Sequence, residues 1–208
     1  MEITIIGTGN MGRGIATRAL AGGHDVTLMG TDTEKAQQLA DELASDSGAV
    51  QAGDSPTGEV VALAVWYPVS LDVARQYADQ LEGKVVVDIT NPIDTDAFEP
   101  LTLDAGSAAQ ELDAATPESV KVVKAFNTTF AGTLGPGEVS DTQLDVLIAG
   151  DDADAKAKVA ELVETSGLRA IDVGPLRRAR ELEALGYLHM AIQDELGTAY
   201  SSTVKLIG

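Results

Sequence analysis

The chain of 208 residues contains no cysteine, which excludes disulfides, thiolate catalysis and cysteine-based zinc or iron–sulfur sites. Its 33 acidic residues outnumber 14 Lys and Arg, and the net charge of -19 would repel nucleic acid or an anionic membrane. Two histidines, His24 and His189, leave little for a metal site, and we expect no bound metal. Because no apolar run approaches about 18 residues and no signal peptide precedes Ile3, we expect a soluble cytoplasmic protein.

Apolar runs of strand length alternate with longer stretches of helical periodicity along most of the chain. The predicted elements are strand 2–6, helix 10–23 ending at a glycine pair, strand 25–29, helix 33–45, strands 49–52 and 59–65, helix 70–81, strand 84–90, a loop over 91–106, helix 107–115, strands 120–126 and 145–150, helix 152–166, strand 169–173 and a long helical tail from about Leu176.

Strands that are apolar throughout and separated by helices predict a parallel sheet covered on both faces. Right-handed crossovers make this an α/β fold, a doubly wound Rossmann-type sheet. We expect residues 1–150 to form a dinucleotide-binding domain. Residues 151–208 are expected to form a small C-terminal lobe, with a helical tail, that closes over the carboxyl edge of the sheet.

A glycine-rich turn joins the first strand to the first helix, with Gly7, Gly9 and Gly12 in the GxGxxG spacing. In such a turn the first glycine permits a tight bend, the second lets the backbone approach a pyrophosphate, and the third allows close packing of helix on strand. The helix N-terminus offers free N–H groups and the positive end of the helix dipole. This context predicts a dinucleotide site.

The end of the second strand bears on which dinucleotide is bound. NAD sites commonly place an acid there to hold the ribose 2′-OH, but Gly30 occupies that position. Asp32 serves equally well as a ribose ligand or as the N-cap of the next helix. Thr31, Lys35 and Arg13 could supply donors to a 2′-phosphate. We therefore expect NADP(H), with NAD(H) as the open alternative.

Four motifs in order, "GTGNMG", "TNP", "VVKAFNT" and "DVGPLRRARELEAL", resemble the coenzyme F420-dependent NADP oxidoreductases over nearly the whole chain. The cytosolic domain of membrane-bound ferric reductases shares the pattern. The resemblance implies hydride transfer between NADP(H) and the deazaflavin coenzyme F420. It also implies a set of cofactor-binding residues: Thr8, Gly9, Asn10 and Met11 at the pyrophosphate, Thr31 and Lys35 at the 2′-phosphate, Val65 and Trp66 along the adenosine and pyrophosphate cleft, Asn91, Pro92 and Ala131 at the nicotinamide half, and Asn127 and Thr129 at the deazaflavin ring.

The sequence departs from this family at two positions. Members that use NADP usually have Ser-Arg after the second strand, where this chain has Thr31-Asp32, and better-known members have a histidine at the position of Asn127. A flavin, a metal chelate or another small substrate as acceptor, and a non-catalytic NAD(P)-binding protein, are the alternative interpretations.

Cofactor-to-cofactor hydride transfer needs orientation and a dry cleft more than side-chain acids or bases, so we assign no catalytic residue. An arginine cluster at Arg177, Arg178 and Arg180 suits the phosphodiester and glutamate tail of a deazaflavin coenzyme; pairing with Glu181, Glu183 or other acids is the alternative. We expect structural roles for the two histidines. The apolar tail helix predicts a homodimer interface.

Overall fold

The computed structural model describes residues 1–47 and 49–207. Its strands are β1 (Glu2–Ile6), β2 (Asp25–Met29), β3 (Val50–Ala52), β4 (Val60–Leu63), β5 (Val85–Asp88), β6 (Ile93–Asp94), β7 (Glu99–Pro100), β8 (Lys121–Lys124), β9 (Glu138–Val139), β10 (Thr142–Gln143), β11 (Asp145–Gly150) and β12 (Arg169–Gly174). Its helices are α1 (Asn10–Ala21), α2 (Thr33–Ser47), α3 (Val69–Gln76), α4 (Ala78–Leu81), α5 (Ala108–Ala115), α6 (Ala131–Leu134), α7 (Ala153–Thr165), α8 (Ala179–Ala191) and α9 (Gln193–Leu196), with a 3-10 turn at Leu176–Arg178.

An eight-stranded sheet forms the centre of the fold, in the order β12-β11-β8-β5-β4-β1-β2-β3. Strands β3, β2, β1, β4, β5 and β8 run parallel, and Ile5 is paired with Leu28 on one side and Ala62 on the other. The strand order reverses between β1 and β4, which is the position where open α/β sheets bind ligands beyond the carboxyl ends of their strands. The predicted Rossmann-type fold is confirmed.

The sheet departs from the all-parallel prediction at β11, which runs antiparallel to β8 and parallel to β12. A parallel neighbour would need a crossover back to the opposite edge, usually a helix of a dozen residues or more. The connection 125–144 contains only the four-residue α6 and the β9–β10 hairpin. The chain therefore re-enters the sheet from the same edge that it left, and this connection stays at the carboxyl edge of β8.

Alternation along the strands sends side chains to two apolar layers, one on each face of the sheet. Ile3 and Ile5 belong to the layer beneath α1 and α7, together with Ile15 and Val159. Ile6 belongs to the opposite layer, with residues of α3 and α5. Burial on both faces explains why the strands lack polar alternation in the sequence.

Three predicted elements differ from the observed ones. The loop predicted over 91–106 contains the short β6–β7 hairpin, and the helix predicted over 70–81 is divided at Tyr77 into α3 and α4. The predicted helical tail is helical only as far as Leu196. Residues 198–207 have no regular secondary structure, and the side chain of Gln193 binds their first part through Thr198 and the Tyr200 N–H.

The segment beyond residue 150 contributes a strand to the main sheet, because β12 pairs with β11 along its length. The same segment sends Met190, Ala199 and Tyr200 to the carboxyl edge of the sheet. The division into domains 1–150 and 151–208 stays a prediction. Within the described ranges, the helices are too short or too polar to cross a membrane.

Candidate functional site

In the turn between β1 and α1, two glycines pack so closely against neighbouring backbone that a side chain has no room. Gly7 has φ +125°, and a Cβ built on it would lie 2.1 Å from the carbonyl oxygen of Ala64 in the neighbouring strand connection. A Cβ at Gly12 would lie 1.9 Å from the Gly7 carbonyl oxygen. Neither position can hold a side chain without moving the backbone, so the sequence fixes both the bend and the approach of α1 to the sheet.

Gly9, in contrast, faces open space, since a Cβ there would meet no atom within 4 Å. Gly9 is the N-cap of α1. No side chain caps this end of the helix, and no acidic residue occupies its first turn. The N–H groups of this turn are therefore left for a ligand. A phosphate that approached here would meet bare backbone and the positive end of the helix dipole. The pyrophosphate site at this turn stays a prediction.

A cleft of about 620 Å³ opens directly in front of this N-terminus, at the reversal of strand order. Nine of the predicted binding residues line it: Gly9, Asn10, Met11, Val65, Trp66, Asn91, Asn127, Thr129 and Ala131. The other predicted residues lie outside its lining: Gly7, Thr8, Gly12, Thr31, Asp32, Lys35 and Pro92. Two glycines of this second group shape the turn from behind, as described above. The fold thus brings the turn, the β4 exit, the β5 exit and the segment after β8 to one cavity.

Two asparagines interlock at the floor of the cleft. Nδ2 of Asn127 donates to Oδ1 of Asn91 and to the Leu182 carbonyl of α8, each at 2.8 Å. Nδ2 of Asn91 donates to the backbone carbonyl of Asn127 at 2.9 Å. Because a backbone carbonyl only accepts, these contacts fix which end of each amide is nitrogen. Oδ1 of Asn127 is buried without a hydrogen-bond partner in the described structure, so this amide retains one acceptor.

The segment after β8 also contains a residue with a strained backbone at the floor of the cleft. Phe126 is 2% exposed and has φ +62°, a left-handed conformation that a bulky residue rarely adopts. Its carbonyl accepts from the N–H of Thr129 at 3.1 Å and from the Thr129 hydroxyl at 2.7 Å. Strained residues of this kind concentrate at functional sites, where surrounding contacts hold them in place. The Thr129 hydroxyl is thereby left as an acceptor toward the cleft.

Comparison with known proteins agrees with this geometry. Residues 2–92 match the family described as NADP oxidoreductase, coenzyme F420-dependent. The F420-dependent NADP reductase of Methanothermobacter thermautotrophicus is 34% identical over 201 residues, which cover 89% of this chain and 86% of that protein. The chain belongs to the coenzyme F420-dependent NADP oxidoreductase family. It is accordingly an NAD(P)-dependent oxidoreductase.

Three further proteins are similar to this chain to different extents. A crystal structure of a protein from Arthrobacter sp. FB24, described as a candidate F420-dependent NADP reductase, has a TM-score of 0.81 and 30% identity over 99% of both chains. Rat metalloreductase STEAP3 is 33% identical over 88% of this chain, which spans only 36% of that protein. An imine reductase from Bacillus cereus, 20% identical with a TM-score of 0.65, shares the fold alone.

One wall of the cleft in this family member was not predicted from the sequence. Phe130 stacks on His189 at 4.2 Å between ring centroids and meets Tyr200 edge-on at 5.1 Å. His189 is 5% exposed, and its Nε2 lies 2.9 Å from the hydroxyl of Ser202, so it packs as expected. Tyr200 lies in the irregular tail, which carries no periodic signal, and only the folded chain brings it to the cleft. His24 contacts Thr165 of α7 and is also structural.

The loop after β2 lies outside the lining of the cleft, beside the glycine turn. The Asp32 carboxylate accepts from the Lys35 N–H at 3.1 Å and lies 3.5 Å from the Lys35 ammonium, so this acid caps α2. The hydrogen bond from the Lys35 backbone holds the pKa of Asp32 below its usual value, which keeps the carboxylate ionised. A Cβ at Gly30 would lie 3.1 Å from Cγ2 of Thr8, so this threonine closes off the place where a ribose-binding acid would sit.

The arginine cluster lies on the surface and does not line the cleft. Arg180 contacts the Glu181 carboxylate at 2.9 Å, and Arg178 lies 3.9 Å from it. The alternative that Glu181 pairs with the cluster is therefore observed. Glu183, the other acid named in that alternative, is not a partner of the cluster, because it is buried and binds Lys124 at 2.8 Å.

Proposed function

We propose that this protein transfers a hydride between NADP(H) and coenzyme F420 in the cleft beyond the carboxyl ends of β1, β4, β5 and β8. One observation carries the proposal. The cleft begins at a bare helix N-terminus suited to a pyrophosphate, and the described residues that line it include no Asp, Glu, Lys, Arg or His. Its lining is largely apolar, with Met11, Phe126, Phe130 and Met190 among the contributors.

Such a cleft suits direct hydride transfer between two ring systems. A bound nicotinamide carries the redox chemistry itself, and the protein supplies orientation and a site from which water is excluded. Tyr67 is a poor acid here: burial, reinforced by a 2.6 Å hydrogen bond to Glu111, raises the pKa of Tyr67 to about 12. The cleft is less suited to reactions that need a proton donor beside the substrate, such as the reduction of an imine or the oxidation of a hydroxyacid.

The predicted binding residues are assigned to successive parts of the two cofactors along the cleft. Gly7, Gly9 and Gly12 would form the pyrophosphate turn, with Thr8, Asn10 and Met11 around the phosphates. Val65 and Trp66 would border the adenosine and pyrophosphate portion. Asn91, Pro92 and Ala131 would border the nicotinamide half, with Asn127 and Thr129 beside the deazaflavin. Support comes from the shared cavity of nine of these residues and from the family.

We favour NADP(H) over NAD(H), for which the family name and the relatives provide support. The structure adds that Asp32 is engaged as a helix cap and that Gly30 offers no carboxylate to a ribose 2′-OH. Thr31 and Lys35 are exposed at this end and would contact the 2′-phosphate. Arg13, the third donor considered, forms an ion pair with Glu42 at 2.5 Å.

We also propose a homodimer through α8 and α9. Leu188, Ile192 and Leu196 lie at turn spacing on one side of these helices and are between 37% and 55% exposed. A contiguous apolar face of this kind on a strongly acidic protein is suited to a second copy of the chain.

The deciding experiment mixes the protein with NADPH and oxidised coenzyme F420 and follows the visible absorbance of the deazaflavin. We expect bleaching at a rate proportional to enzyme, and none with protein heated beforehand. FMN, FAD and a ferric chelate are tested in parallel, because the match to a metalloreductase favours them as a second acceptor class. Faster turnover with any of these than with F420 would reassign the acceptor, and no turnover with all four would leave a binding protein.

A further inference from the structure

A fully buried ion cluster lies behind the floor of the cleft, formed by Lys124, Asp88 and Glu183. Lys124 is 0% exposed, although lysine is almost never fully buried unless it is paired. Its ammonium donates to Asp88 at 2.7 Å, to Glu183 at 2.8 Å and to the Thr90 carbonyl at 2.5 Å. These three acceptors use all three ammonium protons, so the cation is satisfied.

The two carboxylates are satisfied as well. Oδ1 of Asp88 accepts from the Thr90 N–H at 3.0 Å. Glu183 accepts from the N–H groups of Ala108 and Ala109, at 3.1 and 3.4 Å, in the first turn of α5. A carboxylate at a helix N-terminus is favoured by the helix dipole. The cluster therefore ties β5, β8, α5 and α8 to one point.

Stability alone does not account for this arrangement. Two carboxylates share one buried cation, and burial raises the pKa of Glu183 even though Lys124 opposes the rise. Replacing a buried ion cluster by uncharged residues of similar volume is often neutral or stabilising. Short ion pairs between buried groups instead fix the relative position of the elements that carry them.

Three of the four elements that the cluster joins also position the interlocked asparagines: Asn91 follows β5, Asn127 follows β8, and α8 contacts both. Leu182, next to Glu183 on α8, provides the carbonyl that binds Asn127. One turn along, a Cβ at Gly186 would lie 2.7 Å from Oδ1 of Asn91, so α8 touches this pair with bare backbone. A small shift of α8 would break the first contact or collide at the second.

We propose that Glu183, with Lys124 and Asp88, is a positioning residue that sets α8 against the Asn91–Asn127 pair and thereby fixes the half of the cleft where the hydride is exchanged. This proposal rests on the proposed function for its kinetic consequence. Its structural consequence, the fixed geometry of the two amides, does not depend on which acceptor is used.

The test uses a neutral variant that carries Lys124→Met, Asp88→Asn and Glu183→Gln. It removes three charges, conserves volume, and keeps an acceptor for the α5 N–H groups. A matched control, Lys158→Met with Glu59→Gln, removes an exposed ion pair of 2.7 Å elsewhere on the surface. The side-chain amide NMR signals of Asn91 and Asn127 are recorded in the unliganded protein, followed by kcat and by the affinity for 2′-phosphoadenosine 5′-diphosphoribose, which lacks the nicotinamide ring.

We expect the neutral variant to fold and to bind this fragment as the wild type does, while both amide signals shift or broaden. Its kcat should fall by on the order of 10–100-fold, as expected for misplaced reacting groups, with the control unchanged. Wild-type amide signals in the folded variant would overturn the proposal, as would an equal loss of fragment binding. If the neutral variant does not fold, Glu183→Gln alone is judged by the same signals. Absence of F420 turnover in the wild type would count against the proposed function and leave the amide result standing.

Discussion

Asn127 donates both protons of its side-chain amide across elements, one to Oδ1 of Asn91 and one to the Leu182 carbonyl of α8. Substitution Asn127→Asp would place a carboxylate oxygen against these two acceptors. We expect a loss of about 2 kcal/mol in the free energy of unfolding, because buried acceptors would be left unpaired. Asn91→Asp disturbs one such donation, to the Asn127 carbonyl, and should cost less. Denaturant unfolding of both variants checks this, and equal costs would contradict the assigned amide orientations.

The glycine turn offers a pair of substitutions with opposite outcomes. Gly12→Ala would place a Cβ 1.9 Å from the Gly7 carbonyl oxygen, and we expect a loss of about 3 kcal/mol or more in folding stability. Gly9→Ala meets no protein atom and should leave stability within about 0.5 kcal/mol of the wild type. Its Kd for NADPH, by titration of Trp66 fluorescence, should nonetheless rise on the order of tenfold. An unchanged NADPH affinity in Gly9→Ala would show that the phosphates do not bind at this turn.

Nicotinamide cofactor preference should respond to the charge at Asp32. Asp32→Asn retains a good N-cap while removing a negative charge close to the position proposed for the 2′-phosphate. The ratio of kcat/KM for NADPH to that for NADH should rise several-fold. Asp41→Asn on the same helix removes the same charge at an exposed position and serves as the control. A lower ratio in Asp32→Asn would instead make this carboxylate a ligand of the ribose 2′-OH.

Folding stability should depend on pH through His189. Burial lowers the pKa of His189 below its ordinary value of 6.5, and the nearby Thr128 backbone opposes this only in part. The unfolded chain therefore binds a proton before the folded one does, and stability falls as pH decreases from 6.5 through the folded pKa. His189→Asn should flatten the pH dependence measured by urea unfolding between about pH 7 and 5. An unchanged slope would mean that His189 makes no contribution and that other shifted groups, such as His24, whose pKa burial also lowers, set the pH dependence.

The proposed homodimer depends on the apolar face of α8 and α9. Leu188→Gln, at a residue that is 55% exposed, should convert the protein to a monomer in sedimentation velocity at micromolar concentration. Val69→Gln changes an exposed apolar residue of α3 and should leave the oligomeric state as it is in the wild type. A wild-type protein that sediments as a monomer would contradict the interface outright.

The sequence was most informative where local geometry determines the outcome. Separate roles could be predicted for Gly7, Gly9 and Gly12, because a tight turn that leads directly into a helix requires a glycine at each of these positions for a different reason. Asn127 could be picked out, but its partners lie 36 and 55 residues away. Tyr200 carried no signal, since a residue in an irregular tail has no periodicity to read. Lys124 lay inside the strand predicted over 120–126 and gave no sign that two distant carboxylates would enclose it.

The reversed direction of β11 has a consequence for how this family can diversify. Residues 125–144 leave β8 and return to the sheet at the same edge, and they include Phe126, Asn127, Thr129, Phe130 and Ala131 of the cleft. One uninterrupted stretch of chain thus supplies these residues, and its replacement would alter no crossover of the sheet. The turn at Gly9 belongs to a different stretch and would keep the dinucleotide while the acceptor changed.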